Sequence, residues 1–245
     1  MPYVLDGLEL RVGSASAGAP GKINEDFYAV VTPSNPEEIR RGMIVALADG
    51  ISGSGLARIA AETSVRSLVH DYYATSTQWS VGQTLDLLMR SANDWQWAQN
   101  ARRRDSDAVV TAISAMVLRE RHFYVVHVGD IRVYRLRRGT LQLLTEDHTW
   151  QRRDMRHVVR RAIGLDSHLV ADFSDGELAP RDTFLMVSDG VWEVLGDARM
   201  SELLLQIENP QVVADALVRA AHEHQSAYRG RNDATAVAIR IDAPG

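Results

Sequence analysis

The sequence predicts an α+β sandwich: antiparallel strands in quantity, with helices gathered in separate pairs, forming a single domain over residues 1–245. Three observations carry this. Short runs rich in Val, Ile, Leu and Tyr, divided by turn residues, read as strands. Apolar residues at i, i+3, i+4 spacing mark helices that follow one another instead of alternating with strands. No low-complexity segment or long linker divides the chain.

In chain order, strands are expected at residues 8–14, 27–31 and 43–48. The stretch "ALADGISGSG" then opens two helices. Leu56, Ile59, Ala60, Thr63, Leu68, Val69 and Tyr72 form the stripe of the first, and Val81, Leu85, Leu88, Ala92 and Trp95 that of the second, with the polar "ATSTQWS" between them. Residues 109–118, 122–128, 131–136 and 140–144, separated by "RER", "GD" and "RRG", read as one antiparallel meander. Strands at 169–173 and 183–187 precede helices at about 200–207 and 212–225, the latter just past Pro210. A last strand covers 235–241.

Composition narrows the function. A chain of 245 residues buries one sizeable core, and 45 % apolar with 24 % charged residues is ordinary for a soluble protein. A net charge of −5 leaves no electrostatic footprint for nucleic acid. No apolar run approaches the ~20 residues of a membrane span, and "MPYVLDGLEL" lacks the layout of a signal peptide. No membrane span and a cytoplasmic location are the expectation. The absence of cysteine removes thiolate zinc sites and cysteine nucleophiles.

The loop after residue 48 is ambiguous by itself. Glycines between strand and helix suit phosphate binding, but a P-loop would continue with Gly-Lys-Ser/Thr where Leu56 follows Gly55. A dinucleotide fingerprint starting at Gly53 would need glycine at Arg58. A phosphate cradle and a tight turn around the carboxylate of Asp49 both remain open.

An echo elsewhere shifts the balance. "IVALADGI" and "FLMVSDGV" share an apolar strand, a small residue, Asp, Gly and an aliphatic residue. Each places a carboxylate at the rim of a sheet, beside a glycine that allows close approach. Asp26 and Asp233 precede strands and Asp130 interrupts two, so stacked sheets would bring all five carboxylates to one cleft. Carboxylates so close cannot all stay ionised without a cation, and all-oxygen ligation favours Mg²⁺ or Mn²⁺. Two such ions about 3.5–4 Å apart stabilise the attacking and leaving oxygens of an in-line displacement at phosphorus.

Seven segments in order, "GKINEDFYAV", "ALADGISGSGLARIAAE", "TAISAMVL", "VVHVGDIRVYRLRRGTLQLLTEDHT", "VVRRAIG", "DTFLMVSDGVWEVL" and "NDATAVAI", resemble the metal-dependent PP2C-type (PPM) protein serine/threonine phosphatases. "DYYATSTQWSV" and "ANDWQWAQ" are similar to bacterial proteins in which such a domain precedes a protein kinase. The resemblance implies an αββα sandwich of two antiparallel sheets flanked by helix pairs. It implies two Mn²⁺ or Mg²⁺ ions with a weaker third, a phosphoprotein substrate, and a cognate Ser/Thr kinase, fused or separate. Asp49 would bridge both metals, Gly50 would offer its carbonyl, Asp189 would hold the second ion and Asp130 the weaker one. Glu25 and Asp26 match an acidic pair that acts largely through bound water.

Departures from the family pattern are as informative. The usual "DN-x-T" reads Asn232-Asp233-Ala234-Thr235 here, which puts Asn232 at the ligand position; Asp233, as a carboxylate, is the favoured ligand for a hard dication. The family's phosphate-binding arginine is replaced by Gly21, followed by Lys22, the chain's one lysine and the candidate phosphate contact. Ser54 stands near a position where some members carry histidine, and Ile131 replaces the serine after Asp130. His148 is expected to hydrogen-bond its loop, and Arg161 to support the fold. The arginines from 152 to 161 are candidates for a substrate approach. Dephosphorylation of phosphoserine and phosphothreonine in proteins is the reading that results. A catalytically silent phosphoprotein-binding module and a small-molecule phosphoesterase are the alternatives.

Overall fold

The computed structural model describes residues 3–52, 55–103, 108–150, 158–225 and 232–243. Gly53, Ser54, Arg104, Arg152, Arg153 and Arg156 lie outside the described residues. Eleven strands and five helices follow in order: β1 Tyr3–Leu5, β2 Leu8–Ala17, β3 Asp26–Val31, α1 Pro36–Arg41, β4 Met43–Ser52, α2 Ala57–Ala74, α3 Val81–Asn100, β5 Val109–Arg119, β6 His122–Val128, β7 Arg132–Arg137, β8 Thr140–Leu143, β9 Asp172–Glu177, β10 Thr183–Val187, α4 Asp189–Gln206, α5 Pro210–His224 and β11 Ala234–Asp242.

They form four layers. One sheet runs β1-β2-β11-β10-β7-β8 and the other β3-β4-β5-β6-β9, with antiparallel neighbours throughout. Side chains alternate across a strand, and β4 is buried on both faces. Met43, Val45 and Leu47 join the core between the sheets, while Ile44, Ala46 and Ala48 pack under α2 and α3. The second sheet repeats the pattern: Phe184 and Met186 enter the inter-sheet core, Leu185 and Val187 pack under α4 and α5. Two-sided burial explains why these strands read as continuous apolar runs.

Three expectations are corrected. The meander over 109–144 is divided: β5 and β6 belong to one sheet, β7 and β8 to the other. The chain changes sheets at Gly129–Asp130, where Gly129 takes φ +105° and a Cβ would lie 2.3 Å from Ala112 Cβ. The strand expected at 169–173 forms at Asp172–Glu177 instead. Leu169 is buried against the α2–α3 core as part of a loop, whereas the polar β9 runs along the edge of its sheet. The helix expected from about 200 begins at Asp189 and is broken at Gly196, which adopts φ +66°.

Two short elements escape the apolar pattern. β1 joins β2 through Asp6-Gly7, both at positive φ, so the pair forms a two-residue hairpin turn. α1 is set by Asn35, whose side chain accepts the N–H groups of Glu37 and Glu38, with Pro36 opening the helix.

Candidate active site

Strand alternation delivers the acidic residues. Tyr28 and Val30 of β3 face the inter-sheet core, so Asp26 two residues earlier faces it too. Asp49 continues the series Met43, Val45, Leu47 of β4 in the same way, and the two aspartates lie directly opposite each other in the β3–β4 ladder. Ser188 continues Phe184 and Met186, and Thr235 precedes Val237 and Ile239, so their hydroxyls enter the same layer.

The result is a cradle beneath Asp26. Ser188 Oγ donates to Asp26 Oδ2 at 2.8 Å, and Thr235 Oγ1 donates to the same oxygen at 2.6 Å. Thr235 N–H donates to Ser188 Oγ at 3.0 Å, and Ser16 Oγ lies 2.7 Å from Thr235 Oγ1. Asp26 is therefore fully buried yet held, and the hydroxyl layer stitches the two sheets together at their shared rim. Sequence reading missed Ser16 and Ser188. The signal was available, because each falls in phase with the core-facing residues of its strand.

Electrostatics at the rim strain against burial. Desolvation raises the Asp26 carboxyl to about 7, with Asp233 and Asp130 adding repulsion against the two hydroxyl hydrogen bonds. Asp49 lies well above the ordinary carboxylate range through burial and then through Asp26, Asp189, Asp130 and Asp233. Asp189 is raised likewise by burial, Asp130, Asp26 and Glu193. Asp130 reaches about 6 through burial and Asp147. Glu25 is raised by burial and Asp233, with Lys22 opposing.

The remaining residues take distinct places. Asp233 Oδ1 accepts from Ala19 N–H at 2.7 Å and Oδ2 from Glu25 N–H at 2.6 Å, so it pins the turn carrying Glu25 and Asp26. Asn232 Nδ2 donates to Asp189 Oδ2 at 3.0 Å. Lys22 is exposed on the turn, its N–H donating to Ala19 O. Arg58, also missed, donates Nη1 to Asp26 O at 2.6 Å and stacks 4.9 Å from the Phe27 centroid, which clamps the acidic turn from α2. Gly50 and Gly190 are required by crowding: a Cβ would meet Ala57 O at 2.1 Å and Asp233 O at 2.0 Å. His148 hydrogen-bonds Gly129 and Asp172, and Arg161 donates to Asp172.

These residues fit hard divalent cations. The donors are all oxygen, and Asp130 Oδ1 is buried with no hydrogen-bond partner. A buried carboxylate oxygen with no partner, repelled by Asp147 and Glu193, calls for a cation. Among the described residues no three acidic or histidine side chains stand together closely enough to hold an ion as they are. Asp26, Asp189 and Asp233 are held by separate hydrogen bonds along the rim.

An antiparallel four-layer sandwich with an oxygen-lined, polyacidic rim between its sheets defines a class of metal-dependent hydrolase. The protein phosphatase 2C family model matches residues 15–229, and the chain belongs to that family of metal-dependent protein serine/threonine phosphatases. The serine/threonine phosphatase stp of Listeria monocytogenes is 24 % identical over 217 residues, covering 81 % of this chain and 84 % of its own. PstP of Mycobacterium tuberculosis is 26 % identical over 204 residues, 76 % of this chain and 38 % of PstP. Among solved structures, PppA of Pseudomonas aeruginosa superposes with a TM-score of 0.81 at 23 % identity, covering 98 % of this chain and 100 % of PppA. The PstP catalytic domain in complex with two manganese ions superposes at 0.78 with 25 % identity, covering 96 % of this chain and 99 % of that domain. No helix among the described residues is long and apolar enough to cross a membrane.

Proposed function

We propose that this chain removes phosphate from phosphoserine and phosphothreonine in proteins, using two Mn²⁺ or Mg²⁺ ions and a weaker third. Asp49, the Gly50 carbonyl, Asp189 and the Asn232–Asp233 pair would hold the two, and Asp130 the third. One observation carries this reading: Asp26 and Asp49 stand opposite each other in the β3–β4 ladder, and Asp26, Asp189, Asp130 and Asp233 together hold the Asp49 carboxyl above its ordinary range. The two manganese ions on the PstP domain support the count. Bound ions of this kind lower the pKa of water and stabilise charge on phosphoryl oxygens.

The protein's own groups supply the rest. Asp26 Oδ2 is occupied by Ser188 and Thr235, which leaves Oδ1 as the oxygen that can accept from a water. Glu25 stands beside it to orient water. Lys22 meets the incoming phosphate as a mobile point charge, without the bidentate fork of arginine. Asp233 holds the Ala19–Glu25 turn through both carboxylate oxygens, and Asn232 donates to Asp189. A phosphoprotein substrate implies an opposing Ser/Thr kinase, fused or separate, and a cytoplasmic setting fits both.

The test is phosphate release from a phosphothreonine peptide with Mn²⁺ or with chelator, beside Asp189→Asn. Release that requires both the metal and Asp189 is expected. A second reading has its own observation: Asn232 donates to Asp189 Oδ2 and so occupies an oxygen that a cation would use. Metal binding without release would favour that silent, phosphoprotein-binding module. Release from sugar phosphates alone would favour a small-molecule phosphoesterase.

A further inference from the structure

The Gly129–Asp130 turn is gripped by a buried histidine. His148 is 1 % exposed and brackets Gly129: its main-chain N–H donates to Gly129 O at 2.7 Å, and its Nδ1 accepts from Gly129 N–H at 3.2 Å. A ring nitrogen that accepts carries no hydrogen, so in the neutral ring the hydrogen sits on Nε2. Nε2 then donates to Asp172 Oδ2 at 3.0 Å, and Arg161 Nη1, which lies 3.2 Å from Nε2 and cannot donate to it in this tautomer, donates to the other oxygen of Asp172 at 3.1 Å. From the opposite side Trp192 Nε1 donates to Asp130 O at 2.9 Å. Trp192 is itself covered by the Arg132 guanidinium, 3.6 Å from its ring, with Arg132 doubly bonded to Asp147. His148 and Trp192, distant in sequence and each backed by its own ion pair, thus hold three main-chain groups of Gly129 and Asp130, and the side chain they aim is Asp130, whose buried Oδ1 lacks a partner.

We propose that His148, oriented by Asp172 and Arg161, is a positioning residue that sets the direction of the Asp130 carboxylate and thereby the affinity of the weaker, third cation position. The proposal rests on the reading of Asp130 as a cation ligand. Its logic is that of outer-shell partners at metal sites generally, which act by fixing the groups that do the ligating.

Two conservative variants separate this role from simple core filling. In His148→Asn the amide oxygen takes the place of Nδ1 and keeps an acceptor for Gly129 N–H. In His148→Gln the amide reaches toward Asp172 and vacates the Gly129 contact, although glutamine is nearer to histidine in volume. The Mn²⁺ concentration for half-maximal phosphate release is expected to stay within about twofold of the unsubstituted protein in His148→Asn and to rise about tenfold in His148→Gln. Amide hydrogen exchange at Gly129 in the metal-free protein, followed by NMR, should quicken only in His148→Gln. Equal behaviour of the two variants, or a greater defect in His148→Asn, would overturn the proposal. If the unsubstituted protein released no phosphate, the functional reading would fail separately, and Gly129 exchange together with Mn²⁺ binding would still decide the role of His148.

Discussion

Lys22 is the residue whose role the surrounding chemistry constrains least and a simple variant constrains most. It is exposed, lies on the turn that Asp233 pins, and opposes the upward shift of the Glu25 pKa. An exposed charge pair contributes up to ~1 kcal/mol, so Lys22→Ala should raise KM for a phosphopeptide by up to about fivefold with kcat little changed. A loss confined to kcat would instead make Lys22 a transition-state contact. At this scale Asp49, Asp130 and Asp189 were legible because each stands at the end of a strand-like run. Ser188 and Arg58 were not. A serine before Asp-Gly and an arginine in an amphipathic helix look ordinary until the sheets are stacked, since Ser188 meets Asp26 across 162 positions. Asp233 and Asn232 could be placed at the rim from their order in the chain, but which oxygen faced inward depended on a turn 208 residues away.

At the scale of elements, β2 and α5 show how closely helix and sheet are pressed. Gly13 sits under the start of α5, where a Cβ would lie 2.1 Å from Gln211 N and 2.2 Å from Pro210 C. Both neighbours are main-chain atoms and cannot rotate aside. Gly13→Ala should therefore lift α5 from β2 and destabilise the fold by about 2 kcal/mol, as overpacking does, read as a lowered midpoint in urea. An unchanged midpoint would mean that α5 adapts. Strands buried on both faces, β4, β5 and β10, were readable from composition because each holds a nearly continuous apolar run. β9 was not: its alternation follows an edge with polar residues, and the nearby apolar Leu169 belongs to a loop. The division of the supposed meander between two sheets also escaped, because "GD" separates strands in a hairpin and at a sheet crossing alike.

For the whole molecule, the acidic rim makes stability depend on pH and cations. A carboxyl that holds its proton more tightly in the folded chain binds more protons there than in the unfolded chain, so folding is favoured at low pH. For Asp26 that contribution is complete below the ordinary value of 3.8 and is lost as pH rises through about 7; Asp130 loses its share by about 6. Asp49 and Asp189 act in the same direction. A divalent cation that binds only the folded state reverses the loss. The most direct test is the thermal midpoint as a function of pH, with Mn²⁺ or with chelator, for the unsubstituted protein and Asp49→Asn. The account predicts that in chelator this contribution lowers the midpoint from pH 4 toward pH 7, that Mn²⁺ restores it near neutrality, and that Asp49→Asn shows both effects weakened. A midpoint near pH 7 that ignores Mn²⁺, or an Asp49→Asn variant that responds to Mn²⁺ as fully as the unsubstituted protein, would contradict the central claim that these carboxylates form one cation site.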